Sequence, residues 1–193
     1  MNPRGRGRKP DPEVDAAIHK AVMELVSEHG LEVTYDQVAA RARVGRASVF
    51  RRYPTKRDML LEAIGQTGTF RVSVPDTGSL AGDLYELVAG IAAVYGTQPM
   101  YGLSRQILRE ACRDTMIRDI MRELNERRFE IVMAVLEQAA ARDELAESAD
   151  RRLICDMLIG YFAGLLSAEY DFPDAEKIRG MVEFLMHGVA ASH

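Results

Sequence analysis

Gly30-Leu31-Glu32-Val33-Thr34-Tyr35-Asp36-Gln37-Val38-Ala39-Ala40-Arg41-Ala42-Arg43-Val44-Gly45-Arg46-Ala47-Ser48-Val49-Phe50-Arg51-Arg52-Tyr53-Pro54-Thr55-Lys56-Arg57-Asp58-Met59-Leu60 is the stretch that decides the fold. Thr34 reads as an N-cap, because its hydroxyl can accept from an amide two or three residues on. Gln37 sits where its side chain can answer the Thr34 backbone, the reciprocal capping box. A short helix then runs from Tyr35 to Ala42. Gly45 can cap a third helix, Arg46 to Tyr53, which Pro54 stops for want of an N–H. Thr55 caps a fourth, which opens Lys56-Arg57-Asp58 and carries Met59, Leu60, Ala63 and Ile64. Two short helices joined by a tight turn describe a helix-turn-helix. Val38, Ala39, Val44 and Val49 are the small apolar residues it would bury. That leaves Arg46, Ala47, Ser48, Phe50, Arg51 and Arg52 around most of the third helix, a surface suited to a polyanion.

Upstream, a longer helix starts near Asp11 or Pro12. Ala17, Ile18, Ala21, Val22, Leu25 and Val26 form one apolar stripe at three- and four-residue spacing, and Gly30 ends the helix. Residues 1–10 alternate Arg with Gly and end in Lys9-Pro10, so they read as a disordered basic arm. Its Arg4, Arg6 and Arg8 can lie on phosphates or enter a minor groove.

Downstream the pattern stays helical, with a loop over Val72 to Ser79. Leu80 to Tyr95 is a helix rich in apolar and small residues, and Pro99 interrupts the chain beyond it. Tyr101 to Arg113 is a shorter helix. Asp114 to about Arg142 is a long one, with Met116, Ile120, Leu124, Ile131 and Val135 close to one line. Leu153/Ile154, Met157/Leu158, Tyr161/Phe162 and Leu165/Leu166 repeat every four residues. After a turn around Pro173, Ile178, Met181, Val182, Leu185, Met186 and Val189 mark the last helix. No strand pattern competes.

The 193 residues are 47% hydrophobic and 28% charged, the composition of a globular chain with a real core. Two cysteines exclude a disulfide framework. The longest uncharged run, Leu87 to Ser104, is interrupted by three Gly and Pro99, so no spanning helix is expected. The basic N-terminus is not followed by an apolar stretch and does not read as a signal peptide, so a cytoplasmic protein is expected. The net charge of −4 hides an asymmetry. Residues 1–60 carry 12 Lys/Arg against 8 Asp/Glu, and residues 61–193 carry 13 against 21. The front would meet a polyanion and the back would not.

Residues 12–65 resemble the DNA-binding domain of the TetR family of bacterial transcriptional regulators. The resemblance implies an all-α chain: an N-terminal three-helix helix-turn-helix domain over 11–56, behind the arm of 1–10, and a C-terminal helical ligand-binding and dimerisation domain over 57–193. It implies a homodimer on double-stranded DNA, at a palindromic operator, with recognition helices about 34 Å apart. Carried over by position, Thr34 and Tyr35 sit near a phosphate, and Arg46, Ala47 and Ser48 face base edges. Phe50 stands where Tyr is usual, Arg52 where His is common, Tyr53 where Phe is common, and Lys56 matches a Lys that touches the backbone. Arg43 replaces a favoured Gly in the turn: either the turn differs or Arg43 gains a phosphate. Gly45 replaces a Ser cap. Phe50 cannot donate a hydroxyl hydrogen bond, so its role turns to apolar contact with a thymine methyl. On physical grounds Arg46 is the base reader, since Arg pairs bidentately with guanine, while Arg51, Arg52 and Lys56 hold phosphates.

In the back domain, Phe70, Tyr85, Val88, Tyr95, Met100, Leu103, Ile107, Met116, Ile120 and Tyr161 are candidates to line an apolar pocket rimmed by hydroxyls. Ten Met make an adaptable lining for a small apolar effector. The resemblance places the last two helices at the dimer interface. Leu153, Met157, Gly160, Tyr161, Gly164, Ile178, Val182, Leu185 and Val189 are its candidates, because the doubled stripe is too wide for one neighbour to bury. Neither catalytic chemistry nor a cofactor or metal is expected. His19, His29, His187 and His193 show no ligand-like spacing, and the charged residues between 122 and 130 interleave as a self-paired face. The expected function is a sequence-specific repressor released by a small apolar ligand. The alternative is a DNA-binding regulator without an effector, acting by fixed occupancy or through a protein partner. In the ligand-released reading the fourth helix, near Lys56 to Phe70, is the hinge.

Overall fold

The computed structural model describes residues 11–66, 73–97 and 100–189, with only the backbone for 188 and 189. The expectations placed on Arg4, Arg6, Arg8, Phe70 and Pro99, and on the Val189 side chain, lie outside the described residues. Among those described there are nine helices and no strand: α1 (Pro12–His29), α2 (Tyr35–Ala42), α3 (Arg46–Arg52), α4 (Lys56–Gly65), α5 (Leu80–Tyr95), α6 (Met100–Ala111), α7 (Thr115–Ala141), α8 (Arg151–Ala168) and α9 (Ala175–Val189). The all-helical architecture read from the sequence is the observed one. The chain divides into two compact units between Ile64 and Gly65.

In the first unit the local signals act where they stand. Asp11 caps α1, and Gly30, at φ 75°, ends it with its N–H on the Val26 carbonyl at 2.9 Å. Ile18, Ala21, Val22, Leu25 and Val26 are the buried stripe of α1. They pack with Val33, Val38, Val49, Met59 and Leu60, all 1% exposed or less except Ala21 and Leu25. The Thr34–Gln37 capping box is formed on both sides. Arg41 fastens α2 to α1 through a bidentate pair with Glu28 at 2.7 and 2.8 Å and a bond to Glu24 at 3.3 Å. His19 Nε2 donates to the Ala63 carbonyl at 2.8 Å and so ties α1 to the end of α4.

In the second unit, Ser79, Asp114 and Asp150 cap α5, α7 and α8. Helix α5 lies against α6, α7 and α9, and α8 lies against α6 and α7. The core joins Leu80, Leu84, Leu87 and Val88 of α5 to Val132, Val135 and Leu136 of α7 and Ile154, Leu158 and Phe162 of α8. On α7 the buried line is Ile117, Ile120, Leu124, Val132, Val135, Leu136 and Ala139, while Met116 and Ile131 are half-buried. The sequence stripe is therefore corrected by one residue at both places. Apolar residues are adjacent there, so periodicity allows two parallel lines and only the neighbouring helices choose between them.

Candidate functional site

Helix α3 buries a single side chain, Val49. Arg46, Ala47, Phe50 and Arg51 are exposed. At spacings of one, three and four residues they share one face. The Arg46 guanidinium lies 3.4 Å from Asp36, with both side chains about two-thirds open at 67% and 70%. Such a pair contributes little and exchanges readily for a stronger anion. Arg51 has no ion-pair partner among the described residues. Phe50 is 56% exposed, with its ring centroid 5.8 Å from that of Tyr35. The Tyr35 hydroxyl donates to the Tyr53 carbonyl at 2.8 Å, which joins the start of α2 to the end of α3. Burial, with Asp58 nearby, pushes this phenol above its usual range, so it remains a donor. Thr34 is exposed with its hydroxyl inside the capping box, and Lys56 is half-buried at the start of α4.

Arg52 departs from the phosphate contact expected of it. Its Nε donates to the Asp15 carboxylate, and its Nη1 donates to the Ser48 hydroxyl at 2.7 Å. Only 14% of the side chain is exposed. Arg52 and Ser48 are occupied within the unit and brace α3 against α1. Asp15, thirty-seven residues away, carries no sequence signal for this pairing.

In the second unit Val88, Tyr95, Leu103, Ile107 and Ile120 are buried, and Tyr85, Met100, Met116 and Tyr161 are half-buried. An aromatic cluster brings two of these together. Tyr95 stacks on Phe162 at 6.2 Å and on Phe172 at 5.9 Å, and Tyr161 meets Phe162 edge-on at 5.5 Å. The Tyr161 hydroxyl oxygen is buried and has no hydrogen-bond partner among the described residues. The Arg128 guanidinium carbon lies 5.9 Å from the Tyr95 centroid. Nothing in the sequence marks Phe172 for this cluster, since it precedes Pro173 in a segment that reads as a turn. Among the described residues no group of His, Cys, Asp and Glu could hold a metal ion, and no helix is long and apolar enough to cross a membrane.

The dimer candidates split into two groups. Leu153 and Met157 are 54% and 46% exposed. Gly160 and Gly164 continue the same line, with open space where a Cβ would stand. Tyr161, beside them, is half-buried. By contrast Ile178, Val182 and Leu185 are 4–6% exposed and belong to the core of their own subunit, where α9 lies on α5. They are corrected from interface to core, since an amphipathic helix first buries its apolar stripe against its own chain. The exposed side of α9 carries Gly180 and Phe184, the latter 71% exposed.

The model of the bacterial regulatory proteins of the tetR family matches residues 18–63, and that of the Tetracyclin repressor-like C-terminal domain matches residues 74–185. The chain belongs to the TetR family. An uncharacterised HTH-type transcriptional regulator of Mycobacterium tuberculosis is 33% identical to it over 142 residues, 72% of this chain and 69% of the relative. YdeS of Bacillus subtilis, also described as an HTH-type transcriptional regulator, is 25% identical over 97% of this chain and 95% of its own. The fold is also that of FadR from Bacillus subtilis, solved in complex with stearoyl-CoA: TM-score 0.70 at 17% identity, covering 90% of this chain and 98% of that one. TetR-family regulators bind DNA and act as dimers, and they are regulators of transcription, not enzymes.

In this TetR-family chain the turn between α2 and α3 is left-handed at Arg43. That residue sits at φ 55°, ψ 41°. The Arg43 N–H reaches the Ala40 carbonyl at 3.3 Å and the Val44 N–H reaches the Ala39 carbonyl at 3.0 Å, the pairing of a Schellman motif. A side chain in the left-handed region costs about 1 kcal/mol that glycine avoids, partly offset by the entropy glycine loses on folding. Arg43→Gly is therefore expected to raise the melting temperature of this unit by about 4 °C in calorimetry. A lower melting temperature would show that the Arg43 side chain itself stabilises the turn.

Proposed function

We propose that this protein is a repressor that sits as a homodimer on a palindromic operator and leaves it when a small apolar ligand occupies the second unit. The observation that carries the DNA side is the exposed face of α3, where Arg46, Ala47, Phe50 and Arg51 stand together on a helix that buries only Val49. Arg46 pairs with guanine O6 and N7, leaving the exposed Asp36 for the base. Ala47 meets base edges. Arg51, Lys56 and the backbone N–H groups at the start of α2, beside Thr34 and Tyr35, hold phosphates, which fix register without reading sequence. Arg4, Arg6 and Arg8 add affinity that falls with salt.

Ligand release is a population shift: a ligand that binds better to the dimer whose recognition helices miss the groove spacing draws the population off DNA. The Tyr95–Phe162–Phe172 cluster with Tyr161 and Arg128 supports an apolar effector that carries a polar end. That FadR, of the same fold, was solved with stearoyl-CoA supports a second unit that takes a ligand. One feature favours the alternative, a DNA-binding regulator without an effector: the aromatic rings already pack on one another at about 6 Å.

Fluorescence anisotropy on the DNA upstream of the protein's own gene, and on operators selected from random sequence, tests the proposal across a salt series. Arg46→Ala is expected to lose about 1–3 kcal/mol of discrimination per half-site while its binding to random DNA changes little. Wild-type protein that prefers no sequence over random DNA would refute the operator. Acyl chains of graded length, added to the bound probe, separate the two readings: release supports the effector, and undisturbed binding supports fixed occupancy.

A further inference from the structure

We propose that Phe50 is a specificity-determining residue that reads a thymine 5-methyl group in the major groove, beside the base pair assigned to Arg46. The assignment rests on the DNA-binding reading of α3 and names one chemical group that it recognises.

Among the described residues, Phe50 is the one large hydrophobic side chain left exposed in the first unit, at 56%. Its neighbours define what can cover it. Arg46 lies one turn earlier on the same face, Arg51 lies beside it, and Ala47, also exposed, lies three residues before it. An apolar ledge of one methyl and one phenyl thus stands between two guanidinium groups. An apolar protein partner would meet both charges and would have to desolvate them. A DNA duplex welcomes them, and its major groove offers one apolar group, the C5-methyl of thymine. The phenyl ring has no polar atom, so it reads no hydrogen-bonding edge and takes no phosphate.

The ring is also held in place. Tyr35 stands 5.8 Å away at 58° to it, and the Tyr35 hydroxyl is fixed on the Tyr53 carbonyl at 2.8 Å. That bond keeps Tyr35 from turning aside. Phe50 therefore leans on a fixed neighbour with most of its other side open, and little side-chain freedom remains to be lost on binding.

The test uses the full-length protein and an operator selected by it from random DNA. Each thymine is replaced in turn by deoxyuridine, symmetrically in both half-sites, which removes the methyl and nothing else. Burying one methyl corresponds to about three- to fivefold in affinity per half-site, and about tenfold or more for two. Wild type is expected to lose about that factor at one symmetric thymine pair and at most a small factor elsewhere. Phe50→Ala is expected to bind the thymine operator that much more weakly and to be indifferent to deoxyuridine at the same pair. Phe50→Leu, which keeps an apolar group there, is expected to retain part of the methyl sensitivity. Because Phe50 is exposed, the variants should melt within a degree or two of wild type. A wild type indifferent to deoxyuridine everywhere overturns the assignment. So does a Phe50→Ala variant as methyl-sensitive as wild type, since another residue then reads the methyl. Specific binding without methyl dependence refutes the role of Phe50 alone. A selection that yields no preferred sequence refutes the DNA-reading role of α3 and this assignment with it.

Discussion

An Asp83→Ala variant is expected to melt about 10 °C below the wild-type chain, a loss of about 3 kcal/mol. Among the described residues Asp83 is the one fully buried charged residue, with no exposed surface, on the first turn of α5. One carboxylate oxygen accepts from the Thr77 N–H at 2.6 Å and from the Thr77 hydroxyl at 2.8 Å, and the other accepts from Arg142 Nη2 at 2.7 Å. Arg142 in turn donates to Glu144 at 3.0 Å, and Glu144 accepts the Leu80 N–H at the start of α5. This network clamps the segment before α5 to the turn after α7. The segment wraps so closely that a Cβ at Gly82 would lie 2.2 Å from the Thr77 hydroxyl oxygen. Removing the carboxylate takes away both bonds from Thr77 that hold this segment on α5, and leaves Arg142 with its more exposed partners alone.

The network also has a pH signature. Burial by itself would raise the Asp83 carboxyl, but the bonds from Thr77 and Arg142 outweigh it and hold the group below the usual carboxylate range. A carboxylate depressed in the folded state stabilises above its unfolded pKa of about 4 and loses that contribution as pH falls through the lower folded value. Wild type should therefore lose stability below about pH 4 more steeply than Asp83→Asn, which keeps an acceptor for Thr77 but cannot titrate. Melting curves from pH 3 to pH 7 check both points. An Asp83→Ala chain that melts with wild type would mean that the clamp contributes nothing.

A Met157→Glu variant is expected to run as a monomer in sedimentation and to lose operator affinity by about 100-fold or more, since a monomer engages one half-site only. Leu153, Met157, Gly160 and Gly164 form one line along α8. Leu153 and Met157 are about half exposed, and among the described residues nothing beyond the helix's own backbone lies within 4 Å of the Cβ positions of the two glycines. A twofold contact repeats each residue, so one substitution places two carboxylates in the same apolar face. Taking each out of water costs several kcal/mol. A Met157→Glu protein that remains a dimer would place the interface elsewhere, and Phe184, exposed on α9, is then the next residue to charge.

Helices α8 and α9 also show what periodicity can and cannot tell. The stripes of α8 and α9 are both legible as apolar. On α8 the exposed line adjoins Ile154, Leu158 and Phe162, which pack inward, so the helix has apolar residues on two sides. On α9 the inferred line is the inward one. Spacing reports that a helix has an apolar side, and it does not report which neighbour that side meets. The aromatic cluster is less legible still, because Tyr95, Phe162 and Phe172 come from two helices and a turn.

What the sequence determined by itself is local in origin. Thr34 and Gln37 close their capping box three residues apart, Gly30 and Pro54 act on the helix beside them, and Arg43 takes its left-handed turn between α2 and α3. Those signals act within a turn or two of chain, so a single sequence specified the helix-turn-helix, the all-helical back half and the family. Tertiary structure decided the rest. It turned Arg52 inward to Asp15, shifted the buried line of α7 to Ile117 and Val132, placed Ile178, Val182 and Leu185 in the core, and joined Asp83 to Arg142 across 59 positions. Each of these depends on which distant side chain arrives at the same place. Burial and charge pairing are properties of that place and not of the residues nearby in the chain.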